Sequence, residues 1–102
     1  MILHYMDPDG LCTVINVDYK AHTVKIENKT DFLLHRAFGV NENPTWEDYE
    51  AFLRNRCFPE TRDKMKLILK KLDLDFYDPL EIIRKTQGRM AEDSQWIEFV
   101  EE

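Results

Sequence analysis

Arg54, Arg56 and Arg62 fall within nine residues of a chain that is otherwise acidic, with a formal net charge of −6. A guanidinium fork binds carboxylate or phosphate through two parallel hydrogen bonds. One reading of the cluster is therefore an anion clamp for a partner. The plainer reading is that these side chains cap helix ends and pair with Glu50, Glu60 and Asp63. Carboxylates are abundant elsewhere, among them Glu42, Glu47, Asp48, Asp73, Asp75, Asp78, Glu92 and Asp93. Most fall beside caps or on solvent faces, where a glycosidase-like pair is not expected. His4, His22 and His35 are scattered, and Cys12 and Cys57 lack metal-ligand spacing. The two thiols read as small buried hydrophobes in a reducing compartment. No nucleophile elbow, dinucleotide fingerprint or P-loop occurs. With only three glycines, a phosphate-cradling loop is not expected either.

The elements that must position these groups divide the chain. Residues 2–6 are apolar-rich and suit a strand. Asp7-Pro8-Asp9-Gly10 is a turn, since proline fixes φ and glycine permits positive φ. Leu11 to Asp18 alternates with β-branched residues, and so does Thr23 to Glu27, which places Val24 and Ile26 on one face. These runs predict a three-stranded antiparallel meander with one apolar face. A sheet so small needs a covering layer. Phe32 to Phe38 fits a strand or a helical turn equally well. Residues 39–44 are a connector.

The helical signals come next. Thr45 and Asp48 make an N-terminal capping box with Pro44 before it. Trp46, Tyr49, Phe52 or Leu53, and Arg56 then share one stripe. Pro59 is expected to open a second helix whose apolar face is Met65, Ile68, Leu69 and Leu72. Asp78-Pro79-Leu80-Glu81 is the strongest helix start in the chain, and Gly88 ends that helix. From Gln95 the tail suits a short strand or a helical turn. Trp96 within it either closes the core or stands exposed as an interface anchor.

These signals predict a single α+β domain over residues 1–102. A small N-terminal antiparallel β-meander (1–30) packs against three C-terminal helices. A connector (31–44) precedes a mainly helical part (45–102). With 43% hydrophobic and 12% aromatic residues, the chain is not of the disordered class. Its negative charge disfavours nucleic acid as a partner. Nothing resembles a signal peptide, and no apolar run approaches the ~20 residues that span a bilayer. A cytoplasmic protein is expected by default, with no cofactor and no metal.

The order of features also resembles a known family. It runs from Leu3-His4-Tyr5-Met6-Asp7 through a strand pair and a Trp/Phe-rich helix into Arg56-x-x-Pro59-x-x-Arg62. Leu69-x-x-Leu72 and then Gly88…Asp93-x-Gln95-Trp96-Ile97 follow. This is similar to the N-terminal accessory region of some HipA-like kinases of Firmicutes. Two departures stand out. Asp93 and Gln95 are split by Ser94, and Arg89-Met90-Ala91-Glu92 replaces the family's leucine-serine run. The chain is too short for a kinase domain. The resemblance implies a stand-alone, non-enzymatic regulatory module, antitoxin-like or an accessory subunit, of a bacterial toxin–antitoxin or mobile-element operon. Its partner would be another protein of that operon. The expected contact residues are Arg56, Arg62, Asp93, Gln95 and Trp96. Two further readings are a DNA-binding repressor that uses the helix pair 45–72, and a small nucleotide-handling domain.

Overall fold

A computed structural model describes residues 1–101. Four antiparallel strands form one sheet: β1 (Ile2–Asp7), β2 (Gly10–Asp18), β3 (Thr23–Asn28) and β4 (Trp96–Glu101), in the order β3-β2-β1-β4. Three helices follow the meander, α1 (Trp46–Asn55), α2 (Met65–Lys71) and α3 (Pro79–Thr86). The architecture is a small α+β fold. No helix among the described residues is long and apolar enough to cross a membrane.

The expected meander is present, and its register follows from side-chain alternation. Leu3, Tyr5, Ile15, Val17 and Val24 point to one face and are buried. Tyr5 pairs with Thr13 but Met6 pairs with Leu11, so Cys12 is the extra residue of a β-bulge. That bulge explains why Cys12 and Thr13 are both buried although they are consecutive.

The tail corrects the expected boundaries. Residues 96–101 are not helical; they return to the sheet as β4 beside β1, so the sheet is not confined to residues 1–30. Ile97 pairs with Tyr5 on the core face, and Trp96 pairs with Met6 on the other. The backbone N–H of Ile97 donates to the Gln87 carbonyl at 2.7 Å, so the end of α3 covers part of this sheet edge.

Helix α1 starts with the predicted box. The Thr45 side chain accepts from the Asp48 N–H, and the Asp48 carboxylate accepts from the Thr45 N–H. Its stripe buries Tyr49, Phe52 and Leu53 against the sheet. Helix α3 also starts as expected, with Asp78 capping the Leu80 N–H and Pro79 in the first turn. It buries Ile82 and Ile83.

The second helix is shorter than the sequence suggests. It begins at Met65, and the chain from Glu60 to Lys64 is an exposed turn. Those five residues carry no apolar side chain, so a helix there would have no face to bury. Lys64 enters α2 in the left-handed region, at φ 61°. As a result α1 and α2 are separated by residues 56–64. A helix-turn-helix joins its helices by a turn of about three or four residues. The ambiguous run after Asp31 contains a single 3-10 turn, Leu33–His35.

Candidate functional site

Arg56 lies where α1 ends, on the same stripe as Phe52 and Leu53, and it is only 6% exposed. A charge buried there must be matched by partners. All five of its N–H donors have one. Nε donates to the Gly88 carbonyl at 2.9 Å. One terminal nitrogen donates to the Tyr5 hydroxyl at 3.2 Å and to Asp93 Oδ2 at 2.7 Å. The other donates to Asp93 Oδ1 at 3.1 Å and to the Gln95 carbonyl at 2.8 Å. The guanidinium thus ties α1, the α3 exit, β1 and the approach to β4 together.

Asp93 and Gln95 complete the network. Asp93 Oδ1 also accepts from the Gln95 N–H, at 3.0 Å. The hydrogen bonds from Arg56 hold the Asp93 carboxyl below the usual carboxylate range. The Gln95 side chain is buried, accepts from the Tyr5 hydroxyl at 3.2 Å and donates to the His35 carbonyl at 2.8 Å. Burial pushes the Tyr5 hydroxyl up to about 12. No buried side-chain nitrogen or oxygen among the described residues lacks a hydrogen-bond partner.

The five expected contact residues therefore separate. Arg56, Asp93 and Gln95 come together, but facing inward, and Arg56 has no donor left for a partner's anion. Arg56 pairs with Asp93, not with the nearby Glu50, Glu60 or Asp63. Arg62 is exposed and makes no ion pair among the described residues. Trp96 is half-buried on the opposite face of the sheet from the core, and the Arg89 guanidinium lies 4.8 Å above its ring.

That outer face holds residues the motif reading did not single out. Met6 sits between Trp96 on β4 and Leu11 on β2, so three large apolar side chains line up across three strands. Ile2 and Val14 share the face, and none of the five belongs to the core or its rim. Strand parity puts Met6 out of phase with Leu3 and Tyr5, but Leu11 is in phase with Ile15 and reaches this face only through the bulge at Cys12.

A second cluster lies at the bulge. Asp7 Oδ2 is 2.8 Å from His35 Nδ1 and accepts from the Cys12 thiol at 3.1 Å. Burial raises the Cys12 thiol to about 11, and burial also raises Cys57 to about 12. Neither free thiol is therefore poised as a nucleophile. No group of three or more His, Cys, Asp or Glu side chains able to hold a metal occurs among the described residues.

Comparison with known proteins adds no relative. No protein-family model, no curated protein and no solved structure matches the chain.

Proposed function

We propose that this chain is a non-enzymatic, protein-binding regulatory module, antitoxin-like or an accessory subunit, whose partner is encoded in the same operon. The resemblance to the accessory region of HipA-like kinases supplies the class of system. The observation that carries the reading is the row Trp96–Met6–Leu11 on the face of the sheet away from the core. Tryptophan, methionine and arginine are enriched at the centres of protein interfaces, and Arg89 over Trp96 completes that set. Glu98 lies on the same face opposite His4, so the apolar row has an acidic neighbour. A partner with an apolar patch beside basic side chains fits such a surface.

In this reading the five residues have two roles. Trp96 and Arg62 touch the partner. Arg56, Asp93 and Gln95 act through β4: they fix the strand so that Trp96 lies beside Met6. The repressor reading has less support, because α1 and α2 lack a short connecting turn and the chain is acidic. Co-expression with the neighbouring gene products tests the proposal. A stable complex with one of them is expected. A chain that elutes alone in the presence of each product contradicts it.

A further inference from the structure

Three aromatic rings meet at the other end of the molecule, where the β2–β3 turn reaches α1. Tyr19 and Trp46 are 5.0 Å apart at 86°, Trp46 and Tyr49 5.2 Å at 51°, and Tyr19 and Tyr49 6.1 Å at 76°. The rings are inclined to one another and form a corner in which Tyr19 and Trp46 keep exposed surface and Tyr49 is fully buried beneath them. His22 stacks flat on Trp46 at 4.7 Å, and the Tyr19 and Tyr49 hydroxyls share a 2.8 Å hydrogen bond, so the corner is held in place. It opens into a cavity of about 240 Å³ that Leu80 and Pro79 close from the α3 side.

Two carboxylates, Glu50 and Asp78, line the same cavity. Glu50 is exposed and in no ion pair among the described residues, and Asp78 caps α3 through Oδ1. Both push the Tyr19 hydroxyl upward, behind the larger effect of its burial, and Arg84 opposes them. Among the described residues Arg54 is the one cation lining the cavity. Arg84 stands nearby, engaged with Glu81 at 3.2 Å and lying over Phe99. Aromatic faces and carboxylates together favour a cation whose stem is apolar.

We propose that this corner is a binding site for an arginine or lysine side chain of an extended polypeptide. The aliphatic stem lies along Trp46 and Leu80, and the charged head faces Tyr19 and Glu50. A polypeptide, rather than a free small cation, is indicated by the surroundings. One further cleft shares Trp46 with the cavity, and another shares Tyr19 and Leu80. Neighbouring clefts thus flank the site on two sides. The site lies on the helix-bearing side of the sheet and does not depend on the Trp96 face being an interface.

Titration of the ¹⁵N-labelled chain with a blocked glycine–arginine–glycine peptide, followed by NMR, tests the assignment without any partner. Saturable shifts are expected at the Trp46 indole N–H and the Tyr19 amide. Glu50→Gln, an exposed and structurally mild change, should weaken binding about fivefold, the order expected of a surface ion pair. Arg54→Ala should strengthen it. The proposal is overturned if no saturable shift appears, if the glycine–leucine–glycine peptide binds as tightly, or if Glu50→Gln has no effect. Methylguanidinium binding as tightly as the peptide would overturn the polypeptide assignment.

Discussion

Arg56 and Asp93 are joined by two parallel hydrogen bonds, 2.7 Å and 3.1 Å long, between a buried guanidinium and a carboxylate that reaches solvent. The pair is the outer end of a network that continues through Tyr5, Gly88 and Gln95 into the core. Its consequence is positional, because it fixes the chain immediately before β4.

Removing the guanidinium leaves the Gly88 and Gln95 carbonyls and the Tyr5 hydroxyl short of a donor. Arg56→Met should therefore lower the unfolding free energy by about 3 kcal/mol, the range for breaking a buried charged network. Arg56→Lys should recover only part of this, since an ammonium cannot reproduce the fork. Urea denaturation checks both, and an unchanged midpoint for Arg56→Met would contradict the structural role.

The acid limb of stability follows from two carboxyls with lowered values. The Cys12 hydrogen bond leads the causes at Asp7, and the Arg56 hydrogen bonds lead at Asp93. Each folded value lies below the unfolded one, so each contribution is present above the unfolded value of about 3.9. It is lost as pH falls through the folded value. Stability should decline below about pH 4, and Asp93→Asn should flatten that decline in a pH series of denaturation curves.

The alkaline limb has the opposite sign. Burial raises Cys12 to about 11, and Cys57 and Tyr5 to about 12. These neutral acids stabilise the fold below their unfolded values, and that stability is lost as pH rises above about 9. At pH 8 both thiols should resist a disulfide reagent until denaturant is added. Rapid labelling of either thiol in the folded chain would contradict their placement.

Gly88 takes φ +64°, and a Cβ there would approach Ile97 Cδ1 to 3.1 Å. Gly88→Ala should cost about 1–2 kcal/mol from the left-handed backbone alone. Because Gly88 also receives the Arg56 Nε bond, its loss and that of Arg56 should be less than additive in a double-mutant cycle.

Much of this was legible in the residues. An apolar-rich run suggested β1, alternation announced β2 and β3, and the Thr45 and Asp78 caps fixed the starts of α1 and α3. The start of α2 was misplaced because Pro59 is a permissive opening, whereas an apolar face appears only at Met65. The position of β4 was open because six residues of a tail read equally as strand or helix, and only pairing with β1 decides between them. Arg56 was visible as a charge on a core stripe. That pattern demands an internal counter-charge, yet its counter-charge, Asp93, lies 37 residues away in sequence. The inward turn of Gln95 and the alignment of Met6 with Trp96 depend on the register of two strands that the sequence does not place side by side.

In the proposed function, β4 displays Trp96 beside Met6 for a second polypeptide. Calorimetric titration of the proposed operon partner with wild-type chain and with Trp96→Ala tests this display. Trp96→Ala should weaken binding by at least ~30-fold, as for an interface hot spot of about 2 kcal/mol, with the unfolding midpoint nearly unchanged. Equal affinities for the two chains would contradict it.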